Sequence, residues 1–480
     1  MDATETELRD TPGQRPLGEA MNPERVRAEV AARLLDGAAG RLGPCAVTFA
    51  RGSGARALFH YQFTLAGLDG AEARPFPVTA LSFGEERTRE AWEWVLANKA
   101  EATEPVDGVR RVGYVPELDL LLQATPFDIR MPVLERILAG PDAELVEPLQ
   151  ERFGPGHRLV AWRGELTRYR VALRGTVLLT VDAEAPGGGV VVRRFYAKAY
   201  GEPEVAERSA RIVRELEAAL VGHAGELAIA GLAADHPDAR LLVLDEVPGE
   251  DMTTLLQRAQ ARGDRQAAEA AARRAARALA ELHQLPIEVP PDHHQVPRGS
   301  EERVRQMAAL AGRRRPDLAP LAEEVAERVL DALAALPPLA APTHGDLKPA
   351  HLLLGDERVV VLDFDKCVLG DPLLDVAAML ARFRRGKRGG RRNLLASLGE
   401  GFAEEYLRHV PAAWADRLVP VYAETLLRQA SGLDSAVRER RQSATTSDRA
   451  AVVDEVTQML GEARDAMATG AIWREGRRRP

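Results

Sequence analysis

Two short segments near residue 350 constrain the fold of this chain more than any other feature. The first is the polar loop 343–349, which contains Asp346, and the second is the apolar run 359–362, which ends in Asp363. A short apolar run favours a buried strand, so Asp363 is expected at a strand end and Asp346 in a loop. The two carboxylates would then flank a short hairpin. Such a pair can hold a hydroxyl group near one carboxylate and a phosphate-bound metal near the other.

The composition is that of an ordinary globular protein of two or three domains. The chain has 480 residues, 45% of them hydrophobic and 28% charged, with a net charge of -8 that argues against non-specific nucleic-acid binding. Its two cysteines exclude a disulfide scaffold and fit a reducing compartment. The first residues lack a signal pattern, and no run of about 18 apolar residues predicts a membrane span. We therefore expect a cytoplasmic protein that binds neither nucleic acid nor membranes.

Hydrophobic patterning predicts strands that are followed by helices. Strands are predicted at 46–49, 57–65, 77–83, 118–124, 169–181, 190–200 and 241–244, with another beginning at Leu159. Helices are predicted at 22–39, at 85–99 and through 205–220, and beyond Met252 the chain is mostly helical. This order indicates an α+β fold. The predicted segments are a disordered N-terminus (1–21), an α+β domain (22–145), an α+β lobe (150–250) and a helical lobe (251–475).

The two α+β segments share an internal similarity. Three pairs of segments correspond in the same order, at offsets of 111 to 121 residues: 42–44 with 153–155, 78–84 with 195–201, and 114–122 with 235–243. Leu81 then stands where the second copy has Lys198. We interpret 22–140 as a duplicated lobe that lacks a cation. The alternative is chance similarity between two amphipathic α+β segments.

Three motifs resemble those of the aminoglycoside phosphotransferase and choline kinase-like family. His344-Gly345-Asp346 resembles its catalytic-loop triplet, Asp363-Phe364-Asp365 its metal-binding triplet, and 370–375 the segment that follows. The resemblance implies a bilobal protein-kinase-like fold, with an antiparallel-sheet N-lobe and a mainly helical C-lobe. The additional N-terminal α+β domain would be a degenerate N-lobe copy. ATP and Mg²⁺ are the implied cofactors.

The resemblance also implies roles for the acidic residues. Asp346 would accept the proton of an acceptor hydroxyl or orient that hydroxyl, and Asp363 would bind Mg²⁺ through a hard oxygen ligand. Asp365 would assist a second metal or lie in a surface turn. His351 departs from the family, which usually has an Asn metal ligand here. An imidazole is a poorer Mg²⁺ ligand, so His351 would ligate another divalent ion or donate a hydrogen bond to Asp346 or the phosphates.

Nucleotide binding is assigned to the α+β lobe that precedes the catalytic motifs. Lys198, in the strand 190–200, would contact the ATP phosphates and pair with Glu215, for which Glu217 is the alternative. A Lys in an apolar strand is costly to bury without a partner. The segment 163–167 is predicted to cover the nucleotide, and 187–189 to form a hairpin turn. Adenine would contact the link between lobes, at Asp245, Glu246 and Val247.

The predicted function is transfer of the ATP γ-phosphate to a hydroxyl of a small molecule, such as an antibiotic, a sugar or an amino alcohol. The alternative is a nucleotide-binding pseudokinase or regulatory module, which Leu81 and His351 favour. His283 is interpreted as a favourable contact at a helix C-terminus. The basic run 382–392 is interpreted as a solvated loop or a substrate contact, and 292–294 as a loop or a metal site.

Overall fold

The chain divides into two compact units. The structure, a computed structural model, describes residues 18–53, 56–67, 72–140, 143–291, 300–385, 394–439 and 446–472. The first unit comprises Met1–Ala206 and Ala233–Val243, and the second comprises Glu207–Leu232 and Leu244–Pro480. The predicted disorder of 1–17 and the predicted metal site at 292–294 lie outside the described residues, as does most of the basic run 382–392.

A five-stranded sheet with two helices forms the beginning of the first unit. In chain order its elements are α1 (Pro23–Leu34), β1 (Ala46–Ser53), β2 (Arg56–Leu65), β3 (Arg74–Ser82), α2 (Glu85–Asn98), β4 (Val112–Val115) and β5 (Leu120–Ala124). The strand order is β1-β2-β3-β5-β4, and the neighbours pair antiparallel. Asn22 caps α1, since its side chain accepts hydrogen bonds from the amides of Glu24 and Arg25. The buried face of β2 packs with α1 in one hydrophobic core.

A second five-stranded sheet follows. Its elements are α3 (Val133–Ala139), α4 (Ala143–Glu151), β6 (Arg158–Arg170), β7 (Arg174–Glu184), β8 (Val190–Tyr200), α5 (Pro203–Leu220), β10 (Leu232–His236) and β11 (Leu241–Asp245), with β9 (Leu227–Ile229) in another sheet. The strand order is β6-β7-β8-β11-β10. Each sheet therefore has the same connectivity, three consecutive strands, a helix, and two strands that enter the sheet in reverse order.

The predicted strand boundaries are correct for β8 and wrong at the hairpin before it. The stretch 169–181, predicted as one strand, contains the turn at residues 171–173 that separates β6 from β7. The predicted nucleotide-covering segment 163–167 lies within β6 and is paired with β7. The turn predicted at 187–189 is confirmed, because the Ala185 amide donates to the carbonyl of Gly189 between β7 and β8.

The second unit is built largely from helices around small sheets. Its helices after α5 are α6 (Met252–Arg262), α7 (Arg265–Leu282), α8 (Glu301–Arg314), α9 (Ala319–Ala334), α10 (Leu373–Arg385), α11 (Leu394–Arg408), α12 (Leu418–Glu439) and α13 (Thr446–Thr469). Its short strands are β12 (Glu250–Asp251), β13 (Ala341–Thr343), β14 (Leu352–Leu354), β15 (Val359–Val361) and β16 (Val368–Gly370). The strands β14 and β15 form the predicted hairpin, and β13 pairs with β16. Among the described residues, no helix is long and apolar enough to cross a membrane.

Candidate functional site

The loop that carries Asp346 follows β13 and is held against the segment after β15. Gly345 has φ +78°, and a Cβ at this position would lie 2.1 Å from the carbonyl oxygen of Lys366. Only glycine tolerates both the backbone conformation and this approach. As a result, the ammonium of Lys366 lies 3.5 Å from the Asp346 carboxylate.

A buried carboxylate, Asp375, holds the loop that carries Asp346 through hydrogen bonds to its backbone. Asp375, 1% exposed, accepts hydrogen bonds from the amides of His344 at 2.6 Å and Gly345 at 3.1 Å. Nε2 of His283 lies 3.3 Å from the same carboxylate, and Nδ1 of His283 lies 2.8 Å from the hydroxyl of Tyr406. Two backbone donors aimed at one carboxylate fix the loop conformation. Although the sequence indicated only a helix-end contact for His283, it is part of this buried network.

The side chain of His344 connects the loop to the strand that leads to Asp363. Its Nδ1 accepts a hydrogen bond from the Asp346 amide at 3.2 Å, and its Nε2 lies 2.7 Å from the carbonyl oxygen of Leu362. An amide can only donate, so Nδ1 carries no proton and Nε2 is the donor to Leu362. The Leu362 amide in turn donates to the carbonyl of His351. These bonds set the relative positions of the segments that carry Asp346 and Asp363.

Asp363 directly follows β15 and faces an imidazole. Its backbone is left-handed, at φ +67°, and its Oδ2 lies 3.6 Å from Nε2 of His351. Burial is the main cause that lowers the pKa of His351 to about 3, with a smaller contribution from the positive charge of Lys348, against the opposing carboxylates of Asp363 and Asp346. The imidazole is therefore neutral near pH 7 and can donate its lone pair to a metal ion.

The carboxylate of Asp346 stays ionised at neutral pH. Burial, the largest single influence, acts to raise its pKa, but the surrounding positive charges, led by Lys366 and then Lys348, together lower it below 3.8. Both lysines were missed in the sequence analysis. Lys348 follows Asp346 by two residues and Lys366 follows Asp363 by three, and this spacing was the available signal.

Asp363 and His351 fit a divalent ion that takes its other ligands from water and phosphate. Mg²⁺ in such sites is commonly held by one or two protein side chains together with substrate phosphates. No group of three or more His, Cys, Asp or Glu side chains that could hold a metal occurs among the residues described. Among the described residues, the buried Nδ1 of His351 has no hydrogen-bond partner. Asp365 lies in a partly buried 3₁₀ turn (Phe364–Lys366) beside this pair.

The predicted nucleotide contacts are distributed over both units. Lys198 is 9% exposed on β8 in the first unit, where it pairs with Thr176 on β7. Glu215 and Glu217 are partly buried on α5 in the second unit. Glu217 accepts a hydrogen bond from the amide of Leu232 at 2.8 Å, which leaves Glu215 as the better candidate for Lys198. This pairing stays a prediction.

The segment predicted to contact adenine follows β11. Asp245, Glu246 and Val247 are partly buried, and the amide of Asp245 donates to the carbonyl of Gly231 at 2.8 Å. The contact with adenine stays a prediction.

A cavity of about 1020 Å³ lies beside the loop that carries Asp346, within the second unit. Its lining residues include Thr343, Gly345, Gly370, Asp371 and Arg417. Asp371 accepts a hydrogen bond from Arg417 at 2.6 Å and caps α10 by accepting one from the amide of Leu373. The cavity is large enough for a small molecule.

The sequence profile of the phosphotransferase enzyme family (APH) matches residues 173–419, just over half of the chain. No match was found among curated proteins. Among solved structures, the gentamicin–APH(2")-IIa complex has 14% sequence identity and a TM-score of 0.41, over 67% of this chain and 96% of that one.

Two further solved structures are similar over most of their length. A choline/ethanolamine kinase family protein from Mesorhizobium loti has 17% identity and a TM-score of 0.40, over 64% of this chain and 92% of that one. The macrolide 2'-phosphotransferase MphH from Brachybacterium faecium has 19% identity and a TM-score of 0.36, over 66% and 98%. On the family match over residues 173–419, the chain belongs to the phosphotransferase enzyme family and has its protein-kinase-like α+β fold.

Proposed function

We propose that the chain transfers the γ-phosphate of ATP to a hydroxyl group of a small molecule. The observation that carries this proposal is the linkage of Asp346 to Asp363 through His344 and Leu362. Phosphoryl transfer needs one carboxylate at the acceptor hydroxyl and another at the phosphate-bound metal. The family match supports the same class of reaction.

Asp346 orients the acceptor and takes its proton. Its ionised carboxylate accepts a hydrogen bond from the hydroxyl, whose oxygen attacks the γ-phosphorus. As that bond forms, the bond from the γ-phosphorus to the β,γ-bridging oxygen breaks and ADP leaves. The hydroxyl proton passes to Asp346 and then to water. The lysines beside Asp346, Lys366 and Lys348, stabilise the negative charge on the transferred group.

The donor is assigned to the residues that the sequence predicted for it. Asp363 and His351 would hold a divalent ion, which would supply charge neutralisation on the phosphates. Lys198 contacts the phosphates, with Glu215 as its partner, and 245–247 contact adenine. Mg²⁺ is the ion that the family resemblance implies. The neutral imidazole of His351 suits a divalent ion that accepts nitrogen ligands better than it suits Mg²⁺.

The cavity beside Gly345 is the proposed acceptor site. It adjoins the residue that precedes Asp346, and its volume suits an antibiotic, a sugar or an amino alcohol.

The two free cysteines support a cytoplasmic location for such an enzyme.

The test is ADP release from ATP with a panel of antibiotics, sugars and amino alcohols, followed by mass detection of the phosphate ester. We expect at least one acceptor to be phosphorylated. Asp356→Asn is the matched control for Asp346→Asn, because the Asp356 carboxylate lies exposed in the turn between β14 and β15. Tight ATP binding with no turnover over the whole panel would instead favour the nucleotide-binding module.

A further inference from the structure

The turn between β6 and β7 lies at the same end of its sheet as Lys198. Thr176 pairs with Lys198, and two residues earlier Arg174 pairs with Tyr200. The amide of Gly201 donates to the carbonyl of Leu173 within this turn at 2.9 Å. If Lys198 contacts the ATP phosphates, this turn is the nearest segment of its sheet that can close over them.

The turn has a conformation that its own residues disfavour. Ala172 has φ +56°, a left-handed conformation that is uncommon for residues with a Cβ. A Cβ on Gly201 would lie 1.9 Å from the carbonyl oxygen of Ala172, so the chain approaches the turn as closely as glycine allows. A turn of this kind persists only where surrounding contacts hold it.

The contact that holds the turn comes from the segment that joins the two sheets. Asp128, 0% exposed, lies four residues after β5. Its Oδ2 accepts hydrogen bonds from the amide of Ala172 and from the hydroxyl of Tyr169, both at 2.8 Å. Its Oδ1 accepts one from the amide of Arg130 at 2.8 Å. Burial, together with Asp128, raises the pKa of Tyr169, so its hydroxyl remains a donor.

Helix α3, in the same joining segment, packs against the hairpin that β6 and β7 form. A Cβ on Gly175 of β7 would lie 2.6 Å from the side chain of Leu134, and one on Gly164 of β6 would lie 3.0 Å from the carbonyl of Ile137. Both glycines therefore make room for α3. Thus α3 packs on both strands of the hairpin, and Asp128 holds its turn.

We propose that Asp128 is a positioning residue, which holds the β6–β7 turn where the phosphates of ATP require it. This inference rests on the proposed function. The segment that follows β5 anchors the turn of the nucleotide-binding sheet.

The test is ATP affinity, measured by calorimetry without acceptor, together with hydrogen exchange of the Ala172 amide. Asp128→Ala should weaken ATP binding about tenfold and speed exchange at Ala172. Asp128→Asn retains one acceptor oxygen and should show smaller effects in the same direction, which keeps the test usable if the alanine variant does not fold. Tyr169→Phe leaves the bond to Ala172 in place and should bind ATP within about threefold of the unaltered protein.

Asp119 supplies the matched control for stability. It is a buried carboxylate in the turn between β4 and β5 that accepts hydrogen bonds from Ser82 at 2.7 Å and Thr88 at 3.1 Å. Asp119→Ala should lower Tm and leave ATP affinity unchanged. Equal losses of ATP affinity in Asp119→Ala and Asp128→Ala, or unchanged affinity in the latter, would overturn the inference alone. Absence of ATP binding by the unaltered protein would overturn the proposed function as well.

Discussion

Nε2 of His351 lies 3.6 Å from Oδ2 of Asp363, and the two side chains form a mixed nitrogen and oxygen site at the end of β15. The ring of His351 also stacks on that of His344, with centroids 5.3 Å apart. The residue that departs from the family pattern thus lies beside the proposed metal ligand and is stacked on the loop that carries Asp346.

Replacement of His351 tests the metal preference of this site. His351→Asn supplies an amide oxygen, a better Mg²⁺ ligand than a neutral imidazole. We expect the Mg²⁺ concentration that gives half-maximal turnover to fall about threefold to tenfold. Titration of turnover with Mg²⁺, and of Mn²⁺ binding by electron paramagnetic resonance, would measure this. His409→Asn, at an exposed histidine of the same unit, is the control; an unchanged or higher Mg²⁺ requirement in His351→Asn contradicts the assignment.

The pH dependence of turnover should change when Lys366 is removed. The pKa of Asp346 is lowered because the surrounding positive charges, led by Lys366 and Lys348, together outweigh burial. A depressed carboxyl stays ionised until the pH falls through its folded pKa, so activity is retained well into the acid range. Lys366→Met should move the acid limb of kcat/KM to higher pH.

The comparator for that experiment is Lys348→Met, which removes the smaller of the two lysine contributions. Its acid limb should move in the same direction by less. Profiles measured between pH 4 and 9 that coincide for Lys366→Met and the unaltered protein would show that the ion pair does not act on Asp346.

Loss of the buried carboxylate at Asp375 should affect both stability and rate. Asp375→Asn weakens the acceptor for the amides of His344 and Gly345 and should cost about 2–4 kcal/mol in the free energy of unfolding. The rate should also fall, because the loop that carries Asp346 loses its support. Urea unfolding and kcat would be measured on the same preparation.

Tyr406→Phe is the matched change on the other side of this network. It removes only the hydrogen bond between Tyr406 and His283 and should cost about 1 kcal/mol. If it destabilises the protein as much as Asp375→Asn does, the loop does not depend on Asp375 in particular.

Local patterning predicted some strands and missed others, since β4 and β10 have no predicted counterpart. The strand Val190–Tyr200 and the glycine turn before it were both predicted, because glycine marks a turn. The turn at 171–173 was missed, since its left-handed residue is Ala172 and the carboxylate that holds it, Asp128, is 44 residues away. No local signal indicates a turn that a distant side chain stabilises.

The site was predictable to the extent that its residues lie in motifs. Asp346 and Asp363 were singled out by their motifs, and hydrogen bonds through His344 connect the two segments that carry them, while their roles stay predictions. The contact of Lys366 with Asp346 depends on the close approach at Gly345, which only the tertiary structure reveals. The duplication of the N-terminal lobe stays a prediction, and the equal strand order of the two sheets supports it.

The most direct test of the central claim is turnover of Asp346→Asn with an identified acceptor. An amide cannot take the hydroxyl proton, so kcat should fall by about 10²–10⁴ while ATP affinity stays within about twofold. Asp356→Asn should leave both quantities unchanged. Phosphate-ester formation by Asp346→Asn at the rate of the unaltered protein would contradict the assignment of Asp346, and with it the proposed mechanism.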